Sequence, residues 1–257
     1  MDRVLRTPEV NARRVKVCRG LHGRVLEIGF GTGLNLSHYP AGVSEILVVE
    51  PSTSALRLAE PRKAAVSARV DHVGLDGARL DLPDGSVDCV LSTYTLCTIV
   101  DVDAALQEVH RVLKPDGALH FLEHGRAPTE SVRRWQHRLH PLHSRIAGGC
   151  HLDRPIEELI TRSGLMIGDL ETGYGDGPRP FSYLYRVGPC GLGEACARSC
   201  DATAAGVPIL RDLGENGTSF ERGHDGDRSP KATCRFPPSP ITSGSAGVVP
   251  PGSSPAR

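Results

Sequence analysis

An apolar run, Arg24-Val-Leu-Glu-Ile-Gly-Phe-Gly-Thr-Gly, ends in three glycines at alternate positions, and a second apolar run follows and closes on Glu50. Gly29, Gly31 and Gly33 can take positive φ and carry no Cβ, so the backbone can turn sharply from strand to helix and let a ligand lie against it. Val25-Leu-Glu-Ile-Gly and Ile46-Leu-Val-Val-Glu are short and rich in β-branched residues, the composition of parallel strands covered on both faces. An α/β chain is expected. Glu50 lies roughly 20 residues beyond the glycine loop, where a carboxylate accepts hydrogen bonds from ribose hydroxyls. That placement suits NAD and other nucleosides alike.

Two details separate the candidate ligands. The dinucleotide fingerprint is G-x-G-x-x-G, with a pyrophosphate held at the following helix N-terminus. Here the third glycine comes one residue early. The strand also delivers Glu27 just before the glycines, where a carboxylate repels a pyrophosphate but can hold an ammonium group, directly or through water. S-adenosyl-L-methionine has that ammonium and no phosphate. The E-x-G-x-G-x-G pattern resembles the first motif of the class I S-adenosylmethionine-dependent methyltransferases, with Glu50 matching their ribose-binding acid.

Further segments follow the same family in order. Val70-Asp-His-Val-Gly-Leu-Asp-Gly reads as a third strand ending at Asp76 and Gly77, where the resemblance implies an acid against the adenine amino group. Leu82-Pro-Asp-Gly-Ser-Val-Asp-Cys-Val-Leu-Ser reads as a turn and fourth strand, followed by a cofactor-facing loop that begins at Thr93. Asp101 is placed to cap a helix whose apolar residues Val102, Ala105, Leu106, Val109, Val112 and Leu113 recur at helical spacing, and Lys114-Pro-Asp-Gly is expected to stop it. Ala118-Leu-His-Phe-Leu-Glu is the fifth strand. The resemblance implies a Rossmann-like, seven-stranded, mostly parallel sheet with helices on both faces, and S-adenosyl-L-methionine as cofactor held by Glu27, Gly29, Gly31, Gly33, Glu50, Asp76, Gly77 and Thr93.

Within the type 11 methyltransferase domains the chain is most similar to the branch of methyltransferase-like thiol S-methyltransferases and their bacterial relatives. The segments that carry this are Thr-Leu-Cys-Thr at 95–98, Phe-Leu-Glu-His-Gly at 121–125, Trp135-Gln136 and Gly-Gly-Cys-His-Leu at 148–152. Animal members of that branch carry a membrane-anchoring N-terminal segment. Residues 1–20 here hold Arg3, Arg6, Arg13, Arg14, Lys16 and Arg19 among short apolar runs, and no helix of that composition spans a bilayer. This segment is expected to be a basic amphipathic helix lidding the cofactor; its basic spacing also suits peripheral contact with a membrane surface. Without a secretory core the chain is expected to be cytoplasmic. Residues 21–187 form the expected catalytic domain, and the Gly-, Ser- and Pro-rich residues 188–257 read as a disordered low-complexity tail. The composition breaks abruptly after Arg186, as a reading-frame change or an unrelated extension would produce.

Net charge is zero and aromatic content only 4%, which argues against a phosphate-tracking groove or base-stacking platform for nucleic acid. A small-molecule methyl acceptor is expected instead. The eight cysteines are scattered without a C-x-x-C pair and read as reduced thiols. Neither the cysteines at 190, 196, 200 and 234 nor His137, His140 and His143, on a helix that Pro141 is expected to interrupt, match a ligand spacing, so no metal site is expected.

Methyl transfer from a sulfonium demands mainly alignment of nucleophile and methyl group. A thiol acceptor needs only a raised thiolate fraction, which a neighbouring imidazole or positive charge provides. His124 and His151 are the candidate catalytic bases, each equally readable as a structural hydrogen-bonding group. Glu123 reads as orienting His124 or simply ending a strand, and Cys97 and Cys150 as small apolar fillers. Residues 129–152 are expected to roof the acceptor, with Trp135, Leu139, Leu142 and Ile146 as walls and Arg133, Arg134 and Arg138 meeting an anionic group. Small lipophilic thiols are the leading acceptor. The alternatives are C-, O- or N-methylation of a quinone precursor or amino lipid, and cofactor binding without catalysis.

Overall fold

Strands β1 (Gly23–Ile28) and β4 (Val87–Thr93) form the centre of the sheet, pairing in parallel from Val25 opposite Cys89 to Ile28 opposite Ser92. In this computed structural model, which describes residues 4–168, 170–175 and 177–191, both strands are buried over most of their length, as their unbroken apolar runs require. β2 (Val43–Val49) and β3 (Arg69–Gly74) extend the sheet on one side and β5 (Leu113–His124) on the other, all parallel. Beyond β5 lies the antiparallel β8 (Tyr183–Gly191), whose far edge pairs with two short strands, β6 (Met166–Ile167) and β7 (Leu170–Tyr174). The order is β3-β2-β1-β4-β5-β8-β6, with β7 also on β8, so eight strand segments occupy seven positions. This is the expected seven-stranded, mostly parallel sheet. Strand order reverses between β1 and β4, and ligands of such sheets bind outside the carboxyl ends of the strands at that switch point.

Alternate residues of each strand feed opposite faces. Leu26, Ile28, Leu47 and Phe121 pack with α3 (Val102–Val112) and α5 (Ile156–Arg162), whereas Val25, Ile46, Leu91 and Leu122 pack with α1 (Pro8–Cys18). Each such side chain contributes about 1.5–3 kcal/mol by leaving water. α1 begins where Thr7 Oγ1 accepts from Val10 N–H (3.3 Å) and Pro8 pre-sets the first turn. α3 begins where Asp101 Oδ1 accepts from Ala104 N–H (3.0 Å), and its apolar stripe is fully buried. α2 (Thr53–Lys63) follows β2, α4 (Glu130–Ile146) follows β5, and the single turn α6 (Arg179–Ser182) precedes β8.

Several local expectations are corrected. The glycine loop is followed not by an α-helix but by turns and the 3₁₀ segment Leu36–His38, because the connection is short and Pro40 closes it before a longer helix can propagate. Lys114–Gly117 is not a turn before the strand. β5 already starts at Leu113, and the register jumps from Val87–Leu113 to Cys89–Ala118, so these four residues bulge out of a continuous strand. α4 continues through Pro141, since buried Val132 and Gln136 anchor the helix upstream. Gln136 donates to Gly125 O (3.0 Å) and Leu152 O (2.9 Å) and accepts from Ala127 N–H (2.9 Å). The last strand, β8, lies inside the sheet and reaches Gly191, so residues 188–191 belong to the sheet and not to a tail. The remainder of the expected tail, 192–257, lies outside the described residues. Among those residues no helix is long and apolar enough to cross a membrane.

Candidate active site

The carboxyl ends of β1, β2 and β3 and the loop after β4 surround a cavity of about 610 Å³. Gly29, Glu50, Asp76 and Gly77 all line it, so four of the expected cofactor residues meet there. Its lining contains the acids Glu50, Asp76 and Asp101 and no basic side chain. Gly29 has φ 74°, and a Cβ there would sit 2.0 Å from Thr95 Oγ1; only glycine allows the loop after β4 to close so tightly on the loop after β1. Gly31, at φ 57°, faces open space, since a Cβ would meet nothing nearer than Gly29 O at 4.0 Å. The Gly31 N–H donates to Glu50 Oε2 (2.6 Å) and Ser52 N–H to Glu50 Oε1 (2.8 Å), fixing the carboxylate at the rim of the cavity. Asp76 Oδ1 accepts from Ala78 N–H (2.9 Å). Gly33, at φ 75°, sits under Phe30 and Leu36 and serves the turn rather than the cavity wall.

Glu27 and Thr93 are buried and do not line this cavity. The Glu27 carboxylate is 1% exposed and accepts from Asn35 Nδ2 (2.8 Å) and from the Tyr39 hydroxyl (2.6 Å). Burial pushes its carboxyl up to about 7, against the pull of those two hydrogen bonds and of the Arg14 guanidinium. Thr93 Oγ1 accepts from Asn35 Nδ2 (3.0 Å) and Arg14 Nη1 (3.1 Å), and Arg14 also donates to Asn35 Oδ1 (2.7 Å). Arg14, Asn35 and Tyr39 thus complete a buried network that sequence reasoning missed. Only the acid at the strand end stood out in the sequence, whereas its partners come from α1 and the irregular segment before β2.

A second cavity, of about 410 Å³, lies next to the first, and Thr98 lines both. Leu5, Val10, Phe181 and Leu184 give it apolar walls, and His124, His143, Cys97 and Cys150 face it. The N-terminal segment therefore walls this second cavity, through Leu5, Thr7, Val10 and Arg13, instead of lidding the first. Tyr94 is the only non-glycine with positive φ among the described residues (56°), and its ring packs 5.0 Å from that of His124. Strain of that kind persists only where the surroundings enforce it. Glu123 provides the enforcement. Fully buried, it accepts from Ser92 Oγ (2.8 Å), Thr95 N–H (3.0 Å) and Leu96 N–H (3.0 Å) on one oxygen and from Cys97 N–H (3.1 Å) on the other. Burial raises its carboxyl above the usual range while these four bonds pull it back. Its role is to hold the loop after β4, not to orient His124.

Cys150 Sγ lies 3.6 Å from Cys97 Sγ and 3.8 Å from His124 Nδ1. The contact with Cys97, helped by His124, holds the Cys150 thiol below the ordinary range, and the same contact together with burial holds Cys97 above it. His151 lines neither cavity. Its Nδ1 faces His140 Nε2 (2.9 Å), its N–H donates to Cys97 O (2.7 Å), and burial lowers its affinity for a proton. The structure thus separates the two candidate bases, with only His124 at a cavity wall. The expected roof of α4 is also reversed. Trp135, Leu142 and Ile146 are exposed, and of these residues none lines the cavity, which receives only His143 and Ala147 from that end of the chain before Cys150. Arg133 pairs with Glu130, and Arg138 lies over the Trp135 ring (5.7 Å) on the solvent side.

Comparison with known proteins adds to this geometry. A family model described as a methyltransferase domain matches residues 26–121. The thiol S-methyltransferase TMT1B of Rattus norvegicus is 34% identical over 190 residues, covering 71% of this chain and 75% of that protein. The ubiquinone/menaquinone biosynthesis C-methyltransferase UbiE of Pseudomonas fluorescens is 32% identical over 114 residues, covering 42% and 44%. Of solved structures, the YcgJ protein from Bacillus subtilis aligns with TM-score 0.54 at 23% identity over 63% of this chain and 70% of its own. A putative methyltransferase from Bacillus halodurans aligns with TM-score 0.56 at 14% identity, covering 64% and 72%. These two share the fold.

Proposed function

The chain belongs to the class I S-adenosylmethionine-dependent methyltransferases and takes S-adenosyl-L-methionine as its cofactor; from that premise we propose that it methylates the sulfur of a small lipophilic thiol. The cofactor supplies an electrophilic methyl group on a sulfonium. The strand-end cavity suits such a ligand, because its lining offers three acids and no cation for a pyrophosphate. In this reading Glu50 takes the ribose hydroxyls and Asp76 with Gly77 the adenine edge. Gly29, Gly31 and Gly33 let the backbone approach, and Glu27, acting through Asn35 and Thr93, sets the charge beneath the amino-acid end.

The observation that carries the acceptor assignment is the second cavity, apolar-walled, sharing Thr98 with the first, with His124 facing it among thiols. Apolar walls exclude water and favour a lipophilic body. His124 stabilises the acceptor as its thiolate. A thiol near pKa 8.5 needs only modest help from an imidazole-class group, whereas a phenol near 10 or a carbon acid needs a stronger base than any that faces this cavity. The thiol S-methyltransferase relatives, aligned over three quarters of their length, support the same choice.

A panel of alkyl and aryl thiols, phenols and quinols with methyl-labelled cofactor tests the reading. Thiol turnover is expected, with His124→Ala lowering kcat about 100-fold near neutral pH and moving the pH profile to the alkaline side. Turnover confined to phenolic or carbon acceptors would overturn it.

A further inference from the structure

Three metal-binding side chains converge on the floor of the acceptor cavity from three separate elements. Cys97 comes from the loop after β4, His124 from the end of β5 and Cys150 from the segment after α4, and their ligand atoms all lie within 4.8 Å of one another. We propose that Cys97, His124 and Cys150 form a zinc site whose fourth position opens into the acceptor cavity.

The spacing matches what zinc imposes. Tetrahedral bonds of about 2.3 Å to sulfur and about 2.05 Å to nitrogen place two sulfurs about 3.8 Å apart and a sulfur and a nitrogen about 3.6 Å apart. Cys97 Sγ and Cys150 Sγ are 3.6 Å apart, and Cys150 Sγ and His124 Nδ1 are 3.8 Å apart. The third pair, Cys97 Sγ and His124 Nδ1, lies within 4.8 Å, so a bound cation requires that side at most to close by about 1 Å. Two thiolates and an imidazole select zinc over magnesium or calcium, which demand oxygen. Two thiolate charges also cancel those of Zn²⁺, so the buried site is neutral overall.

The ligands are held from behind. Glu123 fixes the Cys97 backbone through its N–H, His151 N–H donates to Cys97 O, and Tyr94 packs on the His124 ring. Three protein ligands with one exchangeable position is the arrangement of catalytic rather than structural zinc. The sequence concealed the site because the pairs are separated by 53 and 26 residues, far outside local zinc-ligand spacings, and this revises the expectation that no metal is bound.

The use of the fourth position rests on the thiol reading above; the metal site itself does not. His124 then stabilises the acceptor thiolate through the metal it holds: a thiol entering that position forms a zinc–sulfur bond as its S–H bond breaks, and the proton passes to His143, which lines the same cavity, or to water. The bound sulfur retains a lone pair for the incoming methyl group. The methylated product is a neutral thioether, a poorer zinc ligand than thiolate, and it leaves.

Metal analysis of the purified protein is the test, with cobalt(II) substituted into chelator-treated protein as a spectroscopic probe. About one zinc per chain is expected, with intense tetrahedral cobalt bands and a thiolate-to-cobalt charge-transfer band. Both signals should vanish in Cys97→Ser and Cys150→Ser, variants that still bind S-adenosylmethionine, and persist in Cys89→Ser, whose buried thiol lies elsewhere. Wild-type protein without zinc and without tetrahedral cobalt bands, whether its thiols are free or joined as a disulfide, would overturn the site. Adding benzyl mercaptan to the cobalt form should shift the charge-transfer band. An unchanged spectrum with metal bound would overturn the role of the fourth position and leave the thiol assignment to the turnover panel.

Discussion

The two adjoining cavities are made in opposite ways. The strand-end cavity is lined mostly by short stretches at the ends of parallel strands, with Gly148 from the segment after α4 added, and it carries three acids. The acceptor cavity gathers single side chains from α1, the loop after β4, the end of β5, the segment after α4 and the turn before β8. The first can be specified by local sequence because strand, glycine turn and acid are contiguous. The second exists only once the whole domain has closed. Side chains of the second kind can change without touching the strand ends that form the first, and function lives in such sites rather than in the fold itself.

If that contrast holds, the largest effect on the cofactor side comes from the backbone itself. Gly29→Val places a side chain into Thr95 at a left-handed φ and should weaken S-adenosylmethionine binding by at least about 100-fold in calorimetric titration. Retained binding in a folded variant would show that the glycine loop is not the cofactor cradle.

Glu123 is where the acceptor side is most vulnerable. Glu123→Ala leaves a hydroxyl and three backbone N–H groups without their acceptor, so urea unfolding should show a loss of about 3–5 kcal/mol. Glu123→Gln should recover part of it. A loss under about 1 kcal/mol would mean that the loop after β4 holds its shape without this anchor.

The pH dependence of stability sharpens the comparison next. The Glu27 carboxyl titrates near 7 in the folded chain against 4.5 as its reference. The folded state therefore binds the extra proton between these values, and the stability contributed by this group falls as pH rises through the window, by about 3 kcal/mol. His120, pushed down to about 4 by burial, slopes the other way between 4 and 6.5. The measurement is accordingly the difference between wild type and Glu27→Gln. The variant should gain about 3 kcal/mol relative to wild type on going from pH 4.5 to pH 8, while losing cofactor affinity. A difference that stays constant with pH would place the Glu27 charge in water.

The smallest effect is expected on the solvent face of α4. Trp135→Ala should change stability by less than about 0.5 kcal/mol and leave KM for the acceptor unaltered. A raised KM would extend the acceptor site onto that face and blur the distinction between the two cavities.

This contrast also accounts for what the sequence disclosed. The apolar runs of β1, β2 and β4, the capped stripe of α3, and Gly29, Glu50 and Asp76 were readable because each depends on neighbours a few residues away. Arg14, Asn35 and Tyr39 were not, since their meaning lies in a carboxylate reached across the fold. Cys97 and Cys150 read as fillers singly and become a pair only when α4 returns the chain to the loop after β4. The orientation of α4 is not legible in the sequence, because its apolar stripe has the helical period of a core face while Gln136, a polar residue, makes the buried attachment. His151 and Cys150 are adjacent in the chain, yet Cys150 faces the acceptor cavity while His151 faces His140, a divergence of side chains that the sequence does not show.

Thr98 belongs to the walls of both cavities, and the loop that carries it hangs on one buried carboxylate. Two occupants that share a partition are thermodynamically linked: whichever arrives first narrows the partition's freedom, and the second then meets a wall already in place. That coupling is reciprocal, so an acceptor that tightens cofactor binding must itself bind more tightly when the cofactor is present, and by the same factor. Measured apart, the two affinities would understate how strongly the chain holds the pair.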